Sequence, residues 1–205
     1  MVTPNMISNQ ITDYVIKHVP EYRLNKDNIR YGIEWITSLT IQIAIVLIIA
    51  ASMGVFNEAT ITLLTGAILR TFGGGAHFKS YFKCVIYSSF IIIFISYLAQ
   101  KYVHLSFSSI LIIYILSMFI YFRKAPVLHK TKSLFNKKKK YLFKNISLTF
   151  ITLLFIITIF FSSNENPIIT CIWISVLFQS VSLTNGHHIV TDWLDKRTSR
   201  EEKYL

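Results

Sequence analysis

The chain has 205 residues, of which 53% are hydrophobic and only 15% charged, and its formal net charge is +11. A soluble domain spreads its charges over the surface, whereas here long apolar blocks alternate with short polar ones, which is typical of a polytopic membrane protein. The basic residues lie beside the apolar blocks, so membrane topology and anionic lipid explain the charge better than nucleic acid, and no nucleic-acid partner is expected.

The N-terminal segment predicts an amphipathic helix over residues 4–19. Thr3 can cap it, Pro4 suits its first turn and Pro20 ends it. Polar residues occupy one side, which also argues against a cleavable signal peptide. The other side carries an apolar residue every fourth position, namely Ile7, Ile11, Val15 and Val19. We expect this helix to lie at the membrane interface; the alternative is that it packs on the protein's own loops.

Six apolar segments follow, at residues 36–55, 58–72, 81–100, 105–122, 146–162 and 168–183. The second has about 15 residues and covers only about 23 Å, so it either crosses with local thinning or is partly re-entrant. The pattern predicts an all-α polytopic membrane protein with about six transmembrane helices, one of them short or re-entrant, plus the N-terminal interfacial helix. We expect one integral membrane domain over 1–205, with a transmembrane region at 27–183 and a cytoplasmic tail at 185–205.

The loop between residues 123 and 144 sets the orientation, because it contains many lysines and arginines and no acidic residue. Such loops face the cytoplasm, which places both termini and residues 70–83 on the same side. If the short second segment does not cross, the N-terminus moves outside. The cluster Lys137 to Lys140 could also hold an acidic substrate or lipid head groups.

Cys84 and His77 are the candidate catalytic pair, because a thiol and an imidazole at the end of an apolar helix can form a nucleophile and its base. In one continuous helix the two would be offset by about 10.5 Å, too far for a hydrogen bond of about 3 Å. The helix must therefore begin after His77, and the preceding chain must fold back. The run Gly73, Gly74, Gly75 permits this, because glycine accepts positive φ. The alternatives are a packed thiol and a capping histidine.

Three kinds of charged residue could support this pair. Arg70 and Lys83 would favour a thiolate, although both also fit ordinary flanking of a membrane helix. Lys79 lies on the same expected face. Glu34 stands at the cytoplasmic end of the first crossing, where a carboxylate is usually paired; we expect a structural pair with Arg70, and a role in orienting His77 is the alternative.

Cys171 lies within an apolar segment, where a packed and inert thiol is expected. A disulfide with Cys84 has no support in the sequence. No metal site is predicted, because no Cys-x-x-Cys occurs and the pair His187–His188 stands alone.

The block Arg70-Thr71-Phe72-Gly73-Gly74-Gly75-Ala76-His77, with Cys84 seven residues further on, resembles the AgrB (accessory gene regulator B) family of quorum-sensing membrane peptidases. The size, the N-terminal helix, the membrane spans and the basic loop after Ala125-Pro126 also fit this family. The resemblance implies a cell-membrane protein of a Gram-positive bacterium, a homodimer with no cofactor.

The same resemblance implies that Cys84 attacks an AgrD-like propeptide before its acidic tail, with His77 as the base. A thioester to the enzyme forms, and a cysteine or serine of the propeptide captures the acyl group as a thiolactone or lactone. The propeptide leader would lie in the membrane interface among lipids. Its acidic tail would meet Arg70, Lys79, Lys83 and the lysine loop.

Two other classes of function compete with a peptidase. A transporter or exporter of the peptide needs polar groups at mid-membrane depth, for which Gln42 and Gln179 are the candidates. A structural anchoring protein would tolerate changes throughout residues 70–84.

Overall fold

The computed structural model describes residues 4–76, 78, 81–127, 136–161 and 166–201. The helices in these ranges are α1 (Pro4–His18), a 3₁₀ helix (Pro20–Asn25), α2 (Lys26–Ser52), α3 (Phe56–Gly73), α4 (Tyr81–Lys101), α5 (Phe107–Lys124), α6 (Lys137–Phe161), α7 (Pro167–Ser182) and α8 (Asn185–Glu201). Across the described part of the chain no β-strand forms, apart from a single bridge between Gly74 and Val127. The predicted all-α fold is confirmed.

Four of these helices are long and apolar enough to cross a membrane: Pro20–Ser52, Lys83–Lys101, Phe107–Lys124 and Lys137–Phe161. The pair α7 and α8 adds a fifth if it forms one span bent by 78°. The polytopic membrane fold is thereby confirmed. The 18-residue helix α3 is the segment predicted as short or re-entrant, and it is not among the four.

The first of two compact units covers residues 1–48. Helix α1 forms where it was predicted and ends before Pro20, and Asp13 is joined to Lys26 by an ion pair of 2.7 Å. Ser8 and Thr12 are buried, whereas Ile11 and Tyr14 are exposed. Part of the apolar side is therefore exposed, while Ile7 and Val15 are half-buried. The location of this helix at the membrane interface stays a prediction.

The second unit covers residues 49–205 and has α7 near its centre, in contact with α3, α4 and α5. Trp173 of α7 is fully buried and donates a hydrogen bond of 2.9 Å to Thr158 of α6. Ser175 donates to the Thr62 carbonyl of α3 at 3.2 Å. Small polar residues let apolar helices approach closely, and this packing fixes where the C-terminal end of α7 lies.

Candidate active site

The glycine run ends α3 as predicted, one residue later than the expected boundary at 72. Gly74 has φ +77° and Gly75 has φ +138°, values that side chains rarely allow. The Gly74 amide still donates to the Arg70 carbonyl at 2.9 Å and so closes the last turn. The chain therefore turns away from the helix axis at this point, which is the change of direction that the catalytic hypothesis needs.

All three glycines also stand where no side chain fits. A Cβ on Gly73 would lie 2.6 Å from Cε1 of Tyr121, and one on Gly75 would lie 2.7 Å from Oγ of Ser182. At Gly74 the Cβ would lie 1.9 Å from the Val127 carbonyl oxygen. The run is thus required by close packing as well as by backbone conformation.

Four hydrogen bonds hold this glycine loop, residues 73–76, in place. Val127 N donates to Gly73 O at 2.9 Å, and Gln179 Nε2 donates to Gly74 O at 2.8 Å. Ala76 N donates to Ser182 O at 3.2 Å. Arg70 Nη2 donates to Ala76 O at 2.7 Å. The end of α7 and the segment after α5 therefore fix the loop that leads toward the cysteine.

Cys84 lies in the first turn of α4 as a free, half-buried thiol. A helix N-terminus favours a negative charge, so a thiolate at this position would be stabilised by the helix dipole. Helix α4 begins at Tyr81, after His77, as the catalytic hypothesis requires. His77 and Lys79 lie outside the described residues, so the pairing of His77 with Cys84 stays a prediction.

Cys171 differs from Cys84 in its surroundings. It is a free cysteine with no exposed surface. It therefore serves as the matched control for experiments on Cys84.

Helix α8 contributes two side chains to the α4 region. Lys83 forms an ion pair of 3.9 Å with Asp195, which is almost fully buried. The Tyr87 hydroxyl lies 3.3 Å from Nε2 of His187. Among the residues that the structure describes, no three His, Cys, Asp or Glu side chains form a metal-binding cluster.

Sequence reasoning missed these α8 contacts, because it treated residues 185–205 as a polar tail. The spacing of three residues from Cys84 could have pointed to Tyr87, since such residues share a helix face. His187 is 100 residues away from Tyr87 along the chain, and no local pattern indicates their contact.

Glu34 belongs to the first unit. There it lies 3.9 Å from Arg30 Nη1 and accepts a hydrogen bond of 3.4 Å from Asn5. The predicted pairing of Glu34 with Arg70, and its role in orienting His77, stay predictions.

Replacing Gln179 by leucine should lower the stability of the protein and slow its reaction. The change leaves the half-buried Gly74 carbonyl without its donor, at a cost of about 1 kcal/mol or more. The measurements are the thermal midpoint in detergent and the turnover of substrate.

Gln100→Leu is the matched control, because Gln100 Nε2 donates to the Gly54 carbonyl at 2.9 Å. That bond lies about 24 Å along α4 from Cys84, from 16 residues at 1.5 Å each. We expect both variants to lose stability and only Gln179→Leu to lose turnover beyond that loss. Equal turnover in the two variants would show that Gln179 does not position the loop.

The fold and the site define a multi-pass α-helical membrane protein whose glycine loop and basic residues adjoin a free cysteine. The sequence profile of accessory gene regulator B (AgrB) matches residues 8–183, and the chain belongs to the AgrB family. It is 30% identical over 208 residues to AgrB-like protein 2 of Clostridium perfringens (strain 13 / Type A), covering 95% of this chain and 97% of that protein.

A second relative, AgrB-like protein of Clostridium perfringens (strain SM101 / Type A), is 29% identical over 95% of this chain and 97% of its own length. AgrB-like protein 1 of strain 13 is 30% identical over 85% of this chain and 92% of its own length. No solved structure matches the chain. Family membership assigns the protein to the accessory gene regulator quorum-sensing system, with an AgrD-like propeptide as its partner in general terms.

Proposed function

We propose that this protein is a membrane cysteine endopeptidase that removes the acidic tail of an AgrD-like propeptide and promotes cyclisation of the remainder. The observation that carries the proposal is the free, half-buried Cys84 in the first turn of α4, a helix that begins after His77 in the sequence. A cysteine so placed has the surroundings of a nucleophile, whereas Cys171 has those of a packed core thiol.

In the first chemical step, His77 takes the proton of the Cys84 thiol, and the thiolate adds to the scissile carbonyl carbon. The carbonyl π electrons move to oxygen and form a tetrahedral oxyanion. When the C=O bond re-forms, the C–N bond breaks, and the leaving amine of the tail receives the proton held by His77. The product is a thioester between Cys84 and the shortened propeptide.

In the second step, a thiol or hydroxyl inside the propeptide attacks this thioester after giving its proton to His77. The C–S bond to Cys84 breaks, and the Cys84 thiolate takes the proton held by His77, so both groups return to their starting states. Exchange of one thioester for another is nearly even in bond energy, so the step needs no ATP or other cofactor. Water must be kept from the thioester, and a site at a membrane boundary helps to exclude it.

Charge complementarity supports an acidic tail as the leaving group. Arg70, Lys79 and Lys83 lie in the sequence around Cys84, and the next loops carry more lysines. Lys83 already contacts a carboxylate, that of Asp195. The exposed apolar residues of α1, such as Ile11, support contact with membrane lipid beside the propeptide leader. A homodimer in the cell membrane, with the site facing the cytoplasm, completes the proposal.

The thioester should be trapped when the propeptide cannot close its ring. We propose to mix the protein in lipid vesicles with an AgrD-like propeptide, which has an amphipathic leader, an internal cysteine and an acidic tail. The internal cysteine is replaced by alanine in this probe. The expected product is a covalent adduct of protein and leader fragment, detected by mass spectrometry, which hydroxylamine cleaves.

Two variants decide the result. The adduct should form in Cys171→Ala and be absent in Cys84→Ala. Tail release without an adduct at Cys84 would contradict the acyl-enzyme mechanism, and an adduct in Cys84→Ala would assign the nucleophile elsewhere.

A further inference from the structure

Tyr87 and His187 form a part-buried polar contact, one helical turn along α4 from Cys84, that has no role in the two chemical steps proposed for the peptidase. Cys84 and Tyr87 are three residues apart on α4, so they share a helix face. Side chains on a helix lean toward its N-terminus, so the Tyr87 ring leans back over the turn that carries Cys84. Cys84, Tyr87 and His187 all lie within electrostatic range of the Arg70 guanidinium.

Aromatic contacts fix the Tyr87 ring. Its centroid lies 5.1 Å from that of Phe78, the neighbour of His77 in the sequence. It lies 6.5 Å from Phe178 of α7 and 6.2 Å from His187 of α8. The Tyr87 ring therefore stands between the segment that follows His77 and the helices behind the site, and its hydroxyl has little freedom to move away.

The hydrogen bond between Tyr87 and His187 can be made in two ways. If the hydroxyl donates to Nε2, the neutral imidazole carries its hydrogen on Nδ1. That nitrogen is buried and has no hydrogen-bond partner among the described residues. If Nε2–H donates to the tyrosine oxygen, Nδ1 is left with a lone pair only.

The second arrangement is the favourable one, because an orphaned buried N–H is rarer in proteins than an unused acceptor. In addition, burial of the imidazole and, to a smaller extent, the positive charges of Arg70 and His188 lower the pKa of His187, so its neutral form is favoured. The Tyr87 oxygen then accepts from His187, and its own hydrogen is free to be donated.

We propose that the Tyr87 hydroxyl donates a hydrogen bond to the oxyanion that forms when Cys84 adds to the scissile carbonyl, and that His187 is the positioning residue that orients this hydroxyl. The inference rests on the proposed peptidase function and adds the stabilising group that the carbonyl oxygen needs. When the π electrons move onto that oxygen, its hydrogen bond from the Tyr87 hydroxyl becomes stronger. The hydrogen bond weakens again when the amine leaves and the carbonyl re-forms. His187 lies beyond residue 183, where the match to the family profile ends.

Tyr87→Phe should lower kcat for tail release about 10²-fold with KM nearly unchanged, because a donor used only in the transition state is lost. The assay uses the full chain in lipid vesicles with the AgrD-like propeptide as probe. Tyr97→Phe, which removes a hydroxyl further along α4, is the matched control and should keep normal turnover. Normal kcat in Tyr87→Phe would overturn the proposal.

A second readout separates oxyanion stabilisation from an effect on the thiol itself. Alkylation of Cys84 by iodoacetamide, measured in a Cys171→Ala background, involves no carbonyl oxyanion. Its rate should therefore be the same with Tyr87 or Phe at position 87. Slowing of alkylation to the same extent as tail release would show that Tyr87 acts on the thiol, and the oxyanion role would be wrong.

His187 is tested by rescue. His187→Gln places an amide donor near the position of Nε2 and should keep most of the activity, whereas His187→Leu should lose about as much kcat as Tyr87→Phe. In the Tyr87→Phe background, His187→Leu should add no further loss. His188→Leu is the control.

Equal loss of kcat in His187→Gln and His187→Leu would contradict the positioning role of His187. Tail release by Cys84→Ala would instead contradict the peptidase proposal itself.

Discussion

Cys84→Ala should abolish release of the propeptide tail, with a fall of about 10⁴-fold or more, because the nucleophile of covalent catalysis has no substitute. His77→Ala should lower the rate by about 10²- to 10⁴-fold, since general base catalysis has that range. Both rates are measured by mass spectrometry of the freed tail, with the full chain in lipid vesicles.

Cys171→Ala is the control for the loss at Cys84. Both changes remove one sulfur from an apolar helix. Because Cys171 is fully buried and has no part in the proposed chemistry, Cys171→Ala should cost some stability and leave tail release unchanged. Insertion of all variants is checked by their yield in the membrane fraction. A Cys84→Ala protein that still releases the tail would refute the peptidase proposal, and peptide export by that variant would favour a transporter.

Gly74→Ala should have the second largest effect and should act through the fold. Its Cβ would lie 1.9 Å from the Val127 carbonyl oxygen, and its φ of +77° is unfavourable for alanine. The Gly74–Val127 bridge must open, which we expect to cost more than about 2 kcal/mol and to displace the loop before Cys84. Thermal unfolding in detergent and tail release measure the two consequences.

Gly66→Ala, within α3, is the matched control. A Cβ there meets only Ser175 Oγ, at an ordinary contact distance of 3.5 Å, so the variant should be neutral or slightly more stable. If Gly74→Ala unfolds at the same temperature as Gly66→Ala and keeps its turnover, the glycine loop does not require its observed conformation.

The N-terminal helix α1 could be predicted from the spacing of its residues alone. The four-residue spacing from Ile7 to Val19, together with Pro20, predicted both the type and the end of α1. The start of α4 at Tyr81 and the break at the glycine run were predicted equally well. Helix α8 was not predicted, because its mostly polar composition was interpreted as a tail and the short apolar stripe Ile189, Val190, Trp193 and Leu194 was overlooked. The contacts of His187 and Asp195 depend on α4.

Gln179 is a residue whose role could not be predicted from its place in the sequence. Its position in an apolar segment suggested a polar group lining a transport path, whereas its amide binds the Gly74 carbonyl. A residue type indicates that a hydrogen-bond partner is needed, but the partner is chosen by the packing of α7 against α3.

The sequence by itself determined the helical membrane fold, the break at the three glycines and membership of the AgrB family. These depend on the transfer of apolar residues into lipid and on local backbone preferences, which short patterns express. Only the tertiary structure decided that the end of α7 forms hydrogen bonds to the glycine loop and that α8 brings His187 into contact with Tyr87. Such contacts join residues about a hundred positions apart, and they follow from helix packing and from the 78° bend between α7 and α8, which no local pattern encodes.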